Sequence, residues 1–297
     1  MTATAVPCRV AMKEVVFPRR ALTLATKPTK AWELVRAAQG EPERLPLHAF
    51  SADREQQPGT ARFVAISDTH NQESTMSVPM GDVLIHAGDF TQTGSIEQIA
   101  SFSEWFGSLP HPRKVLIAGN HDLSLHRASF EATSRRFGLA TPNPDGVCTE
   151  ATRILQSIPG CEYLCDSGTS AFGVTIWGSP WSPEFCHWAF NLPRGQPCRG
   201  KWCLIPAGTD VVVTHGPPLG HGDLCASEQR AGCLNLLDEL QSRVRPKYHI
   251  FGHIHEGYGA TTDGVTTYLN ASSCSLRYRV EHAPLVFDMP CSEAKIT

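Results

Sequence analysis

Short apolar runs punctuate the chain from residue 61 onward: ARFVAIS (61–67), DVLIHAG (82–88), KVLIAG (114–119), VTIWG (174–178), DVVVT (210–214), YHIFG (248–252), VTTYL (265–269) and PLVFD (284–288). They are nearly continuous rather than alternating, the pattern of strands buried on both faces. Two helical stripes lie between them. SIEQIASFSEWF places Ile96, Ile99, Phe102 and Phe106 at helical spacing behind a Ser95/Gln98 capping box. A second stripe runs from Gly232 to Val244, with Leu234, Leu237, Leu240 and Val244 on one face, and stops before Pro246. Strands alternating with helices predict an α/β domain. Segments 125–171 and 179–208 read as loop-rich insertions. Residues 1–60 lack sustained periodicity and end in the polar stretch SADREQQPGT, so they read as an N-terminal extension that need not be ordered, with the compact domain spanning 61–297.

The residues immediately beyond the strands form a second pattern. The run at 61–67 is followed by Asp68 and His70, the run at 82–88 by Asp89, and the run at 114–119 by Asn120 and His121. His215 follows 210–214, and His253 and His255 follow 248–252. A single His-x-His turn is ordinarily a pair of satisfied surface histidines. Five strands that all end in a metal-capable group are a different matter, because strand carboxyl ends converge on the ligand crevice of an open α/β sheet. The i, i+2 spacing within DTH and HIH would put both side chains on one side of an extended backbone. Carboxylate, imidazole and amide oxygen without thiolate favour Mn²⁺, Fe or Zn²⁺ over a cysteine-rich structural zinc.

Composition narrows the class. The chain has 297 residues and a formal charge of -3 without a long basic run, which argues against a dedicated nucleic-acid surface. A small phosphorylated ligand is compatible with that charge. The 11 cysteines are scattered without a C-x-x-C pair, poor grounds for a disulfide framework. No segment reaches the ~18 apolar residues of a membrane span, and there is no continuous apolar leader. An intracellular, cytoplasmic setting is expected. Arg9, Lys13, Arg19, Arg20, Lys27 and Lys30 against a lone Glu14 give the first thirty residues a weaker resemblance to a mitochondrial transit peptide. Oligomeric state leaves no signature in the sequence.

The motifs SDTH, HAGDF, AGNHD, VTHGPP and FGHIH stand in the order D-x-H, G-D, G-N-H-[DE], His, G-H-x-H. In this the chain resembles the calcineurin-like metallophosphoesterases. The longer stretches GSPWSPEFCHWAFNLPRG, RVRPKYHIFGHIHEGYG and TTYLNAS resemble the branch called metallophosphoesterase-domain-containing (MPPED) proteins, over roughly 61–290 and extending to KPTKAWELV before it. The resemblance implies a two-layer β sandwich flanked by helices, with a dinuclear metal site at the strand C-terminal ends. It implies Asp68, His70 and His255 on a first metal, Asn120, His215 and His253 on a second, and Asp89 bridging them. His121 would stand beside the site as a proton donor. Asp122 departs from the Glu associated with this branch, and HGDLCASEQRA (221–231) departs further.

The expected chemistry is attack on phosphorus by a hydroxide bridging two metals, with Mn²⁺ the first expectation and Fe or Zn²⁺ the alternatives. His121 would protonate the departing oxygen while Asn120 orients a phosphate oxygen. Small phosphodiesters such as cyclic nucleotides are the expected substrates, ahead of phosphomonoesters. The alternative is a weakly active or inactive metal- or nucleotide-binding scaffold, although no ligand of the pattern is missing. Several other residues carry two readings. Trp177, Trp181, Phe185, Trp188 and Phe190 would stack a nucleobase or, more ordinarily, pack under a long loop. Arg194 would contact phosphate or fix a loop. Glu256 would orient an imidazole, and Asn270 matches a glycosylation sequon only formally.

Overall fold

A computed structural model describes residues 17–292 of the chain. In chain order its strands are β1 (Glu43–Leu45), β2 (Thr60–Ile66), β3 (Val83–His86), β4 (Arg113–Ile117), β5 (Cys161–Leu164), β6 (Ser167–Ala171), β7 (Val174–Ser179), β8 (Ser182–Pro183), β9 (Asn191–Leu192), β10 (Val211–Thr214), β11 (Tyr248–Phe251), β12 (Gly259–Thr262), β13 (Thr267–Asn270) and β14 (Leu285–Pro290). The α-helices are α1 (Pro28–Gln39), α2 (Ile96–Ser108), α3 (Arg127–Ser134), α4 (Pro144–Gln156), α5 (Gln196–Trp202) and α6 (Leu234–Glu239). One sheet runs β14-β2-β3-β4-β5 and the other β1-β12-β13-β11-β10-β7-β6.

The two sheets face each other. Phe63, Ala65, Val83, Ile85, Val115 and Ile117 of one interdigitate with Val211, Val213, Ile250 and Leu269 of the other. Alternate residues of the same strands turn outward. Val64, Ile66, Leu84 and Leu116 meet Ile99, Phe102 and Phe106 of α2 and Ala151 and Leu155 of α4. On the opposite side Val212, Phe251 and Tyr268 meet Trp202 and Leu236. Helices thus cover both outer faces of a two-layer sandwich, which is why the runs are apolar at every position.

All eight expected strands are present within a few residues. Ser95 Oγ accepts from the Gln98 amide at 3.2 Å, but Gln98 does not return the bond; its Oε1 accepts instead from the Thr93 and Gly94 amides at 2.9 and 3.1 Å. The second stripe is α6, which relaxes into a turn of π-helix at Leu240–Val244 before Arg245 takes a left-handed conformation ahead of Pro246.

Two expectations need correction. Segment 125–171 is not loop-rich: it holds α3, α4, β5 and β6. Helix α4 starts at Pro144 with Asn143 Oδ1 accepting from the Gly146 amide at 3.0 Å, and buries Cys148, Ala151 and Leu155. Small and cysteine residues on that stripe hid its period. Segment 179–208 holds α5 and the short β8–β9 pair.

Residues 17–60 likewise join the domain rather than preceding it. Strand β1 pairs antiparallel with β12, Leu45 opposite Ala260. Helix α1 buries Trp32 and Val35 against Leu219, Leu234 and Leu237. Arg230 lies over the Trp32 ring at 4.4 Å, and the ring fills the space where a side chain at Gly220 (φ +91°) would stand. The basic residues Arg9 and Lys13 lie outside the described residues.

Because Trp32 packs against the loop that follows His215, Trp32→Ala is expected to cost about 3–5 kcal/mol, the usual range for a truncated core aromatic. Urea unfolding of the full chain checks this. An unchanged midpoint would mean that α1 is held only loosely.

Candidate metal centre

The eight motif residues all lie just beyond the strand ends at one edge of the sandwich. Three groups of ligand-capable atoms form there, each with its atoms within 4.8 Å of one another: Asp68, His70 and His255; Asp89, His215 and His253; and His70, Asp89 and His121. Asn120 joins the second group through Oδ1, 3.0 Å from His215 Nε2. All the sequence-predicted site residues are therefore brought together.

The backbone that does this is not extended. Asp68, His70, Asp89 and His253 have φ of 53°, 46°, 54° and 67°, left-handed values that cost a residue with a side chain of order 1–3 kcal/mol. The expected pleat geometry at DTH and HIH is replaced by tight reversals, and His255 opens a 3₁₀ turn. Hydrogen bonds hold these reversals. The Asp68, His70 and Asn71 amides donate to the carbonyls of Gly88, Asp89 and Phe90 at 2.9, 3.1 and 3.0 Å. The His253 amide donates to the Asp68 carboxylate at 3.0 Å, and Ser272 Oγ donates to Asp68 Oδ2 at 2.9 Å. The motif glycines Gly119 and Gly252 leave room for carboxylates: a side chain at either would collide with Asp89 or Asp68.

Asp122 is the residue whose role the sequence hid. Fully buried, it accepts from the amides of Asp89 and Thr91 at 3.0 Å each, from Thr91 Oγ1 at 2.7 Å and from the Gly119 amide at 2.7 Å. One carboxylate thus ties the Asp89 loop to the Asn120 loop. Burial and then the neighbouring Asp89 push its pKa up to about 7, while the Thr91 and Gly119 hydrogen bonds oppose the rise.

The imidazoles are oriented by main-chain carbonyls. Nδ1 of His70, His215 and His255 lies 3.1, 3.0 and 3.0 Å from the carbonyls of Thr91, Ala87 and Ser275. A carbonyl only accepts, so each Nδ1 carries the hydrogen and each Nε2 of a neutral ring points a lone pair into the site. His70 Nε2 then faces His255 Nε2 at 3.3 Å, and His215 Nε2 faces Asp89 Oδ2 at 3.2 Å. Burial drives His70 down to about 4 and His253 down to about 3, so both are neutral at physiological pH. Burial also opposes charge on His215, but the Asp89 carboxylate overrides it and lifts that ring to about 9. The facing Nε2 atoms of neutral His70 and His255 repel in a buried site unless a proton or cation lies between them, while the raised His215 shows the same demand for positive charge beside Asp89. The donor set therefore fits divalent metal ions.

His121 differs from the others. Its Nδ1 donates to the Gln92 carbonyl at 2.7 Å, its amide donates to Asp89 Oδ1 at 2.7 Å, and its Nε2 stands 4.0 Å from Asp89 Oδ2. Its ring lies against Trp188, centroids 4.0 Å apart.

Of the aromatic segment, Trp188 and Phe185 reach site histidines, whereas Trp181 and Phe190 pack together and Trp177 lies against the α5–α6 side. Arg194 fixes a loop by donating to the carbonyls of Gly232 and Ala231. Glu256 orients no imidazole; it accepts from the Ala226 amide at 2.7 Å. Asn270 is buried, bonded to the carbonyls of Gly222 and Ile254. Tyr278 was not foreseen. It lies within 4.8 Å of His70 and 5.4 Å of His255 between ring centroids, on a segment with no strand pattern.

A sandwich with buried histidine and aspartate clusters at its strand ends defines a metallophosphoesterase domain. The family model described as calcineurin-like phosphoesterase matches residues 61–257. Metallophosphoesterase domain-containing protein 1 of Homo sapiens is 43% identical over 271 residues, covering 90% of this chain and 83% of that one. A UPF0046 protein of Caenorhabditis elegans is 40% identical over 284 residues, covering 92% of this chain and 95% of that one. A solved structure shares the fold with a TM-score of 0.52 at 16% identity, covering 77% of this chain and 95% of its own. The chain belongs to the calcineurin-like phosphoesterase family. No helix among the described residues is long and apolar enough to cross a membrane.

Asp122→Asn replaces an acceptor-only group with one that must turn a donor toward other donors. Loss of such a supporting partner typically weakens metal affinity about 10–100-fold. Competition titration with a metal chelator measures this, and unchanged affinity would show that the two loops hold without Asp122.

Proposed function

We propose that the chain is a metal-dependent phosphodiesterase acting on small phosphodiesters such as cyclic nucleotides. The observation that carries this reading is the convergence of Asp68, His70, Asp89, Asn120, His215, His253 and His255 with their acceptor atoms turned inward. Asp68, His70 and His255 would hold one ion and Asn120, His215 and His253 a second, with Asp89, which is grouped with His215 and His253 and also with His70 and His121, bridging them. Divalent ions bound there, Mn²⁺ the first choice and Fe or Zn²⁺ the alternatives, would supply charge neutralisation for phosphoryl oxygens and an acidified water. The unpaired state of the ten described cysteines supports an intracellular, cytoplasmic site of action.

The chain's own residues supply the remaining chemistry. His121 is anchored at Nδ1, so only the imidazolium, with a second proton on Nε2, would hand that proton from Nε2 to a departing oxygen and return to the neutral ring. The Asn120 side chain, whose Oδ1 lies 3.0 Å from His215 Nε2 while its main-chain carbonyl accepts from the Ala189 amide, would orient a phosphoryl oxygen. Trp188 fixes the plane of the His121 ring. Burial of Asp68, Asp89 and His215 keeps water from competing for them.

The test is hydrolysis by protein stripped and reloaded with Mn²⁺, Fe²⁺ or Zn²⁺, across cyclic nucleotides, linear diesters and monoesters. Metal-dependent turnover of diesters ahead of monoesters is expected; stoichiometric metal with no turnover of any ester would favour a scaffold. His121→Ala should keep its metal yet lose about 10²–10⁴-fold in kcat/KM on an alkyl diester. A nitrophenyl ester, whose leaving group is stable unprotonated, should lose far less. Equal losses on both substrates would remove the proton-donor role.

A further inference from the structure

Seven large hydrophobic side chains are exposed among the described residues, and the two aromatic ones, Phe185 (54%) and Tyr278 (48%), both lie against histidines of the metal centre. Exposed aromatic rings carry a hydration cost, and a pair confined to one site marks a surface meant to be covered. Phe185 stands perpendicular to His253, centroids 5.7 Å apart. Tyr278 stands at the other end of the cluster, 4.8 Å from His70, 5.4 Å from His255 and 6.0 Å from His121. Trp188, by contrast, is already occupied, with His121 at 4.0 Å and Phe137 at 4.5 Å.

Both loops are fixed to the site rather than loosely draped over it. Tyr278 sits at the tip of a reversal closed by the Ser275 amide on the Arg279 carbonyl at 2.9 Å and the Tyr278 amide on the Ser275 carbonyl at 2.8 Å. That same Ser275 carbonyl accepts from His255 Nδ1, so the tip is built onto a metal-facing residue. Tyr278 holds its position at φ 54°, a strained value for an aromatic residue. On the other side the Ala189 amide donates to the Asn120 carbonyl at 3.2 Å. Asn191 Oδ1 gathers the Phe185 and Trp188 amides at 3.1 and 3.2 Å, while Cys186 and His187 take φ of 54° and 56°. Tyr278 is both strained and exposed, and Phe185 is exposed beside two strained residues; with both loops tied to the metal centre, this points to a ligand contact rather than to packing.

Resting on the phosphodiesterase reading of the site, we infer that Tyr278, with Phe185 as the opposite apolar rim, forms a subsite for a flat aromatic group carried by the phosphoester. A phosphoryl group at the histidine cluster leaves its substituents to lie toward these two rings. A nucleobase or aryl group would cover an exposed ring by stacking, whereas a bare sugar or alkyl arm would leave it wet. Tyr278 is the principal contact because it borders three site histidines.

The test compares a nucleoside 3′,5′-cyclic phosphate with methyl riboside 3′,5′-cyclic phosphate, which keeps the scissile bond and lacks the base. Calorimetric binding of a nucleoside 5′-monophosphate and of ribose 5-phosphate to the Mn²⁺-loaded protein runs in parallel. Wild type should prefer the base-bearing member of each pair by roughly 5- to 150-fold, the range that base–aromatic stacking supports. Tyr278→Ala should bring both ratios close to one with metal content retained, Phe185→Ala should lower them less, and Tyr278→Phe should preserve them. Wild-type ratios near one, or ratios unchanged in Tyr278→Ala, would overturn the subsite. Hydrolysis without base preference would sink the subsite and leave the phosphodiesterase reading standing. Base-selective binding without any hydrolysis would do the reverse.

Discussion

Two imidazole nitrogens that face each other at 3.3 Å, each with its hydrogen committed elsewhere, set the terms for this molecule. Asp68 and Asp89 add carboxylates to the same buried space. Such a set of acceptors is tolerable only with positive charge among them, because desolvation removes the water that would otherwise screen them. The structure responds in the one way open to protein groups alone: His215 is drawn toward protonation beside Asp89, and His255 is raised despite burial by Asp68. A divalent cation performs that neutralisation with more charge and from the centre of the ligands, and this is the physical sense in which the site anticipates metal.

Much of the surrounding architecture holds those acceptors where they would not choose to be. The left-handed residues at the strand ends are stabilised by amide-to-carbonyl bonds between adjacent loops, by the fourfold acceptor Asp122 and by glycines at the points of closest approach. The sandwich supplies the rigid edge from which all of these loops leave. Helix α1 and strand β1 extend the same support from outside, since Trp32 fills the concavity at Gly220 in the loop that leaves His215. Strain at the centre is thus balanced by packing at the periphery.

The elements legible in the sequence were those with one unambiguous period. Strands buried on both faces appear as unbroken apolar runs, and α2 and α6 show clean stripes, so these were located within a few residues. Helix α4 was not, because its buried face is Cys148, Ala151 and Leu155 rather than a row of large residues. Helix α1 rests on Trp32 and Val35, too few positions to show a period. The ligand-capable residues were legible because each sits directly behind a strand. Their backbone was not: side chains i and i+2 do converge, but through positive φ that no alternation rule anticipates. Asp122 was visible only as a motif position with its role hidden, and Tyr278 was not visible at all, for opposite reasons. Asp122 acts through amides, which leave no trace in sequence, and Tyr278 comes from a loop whose position depends on tertiary contact with His255.

The central proposal is that this acceptor cluster holds divalent cations, one near each histidine group with Asp89 between them. Anomalous diffraction at the manganese edge, from crystals grown with Mn²⁺, tests it directly. Two peaks are predicted, one within coordination distance of Asp68, His70 and His255 and one of Asn120, His215 and His253, with Asp89 reaching both. A site that stays without anomalous density at saturating Mn²⁺, Fe²⁺ or Zn²⁺, with protons alone reconciling its histidines, would contradict the account.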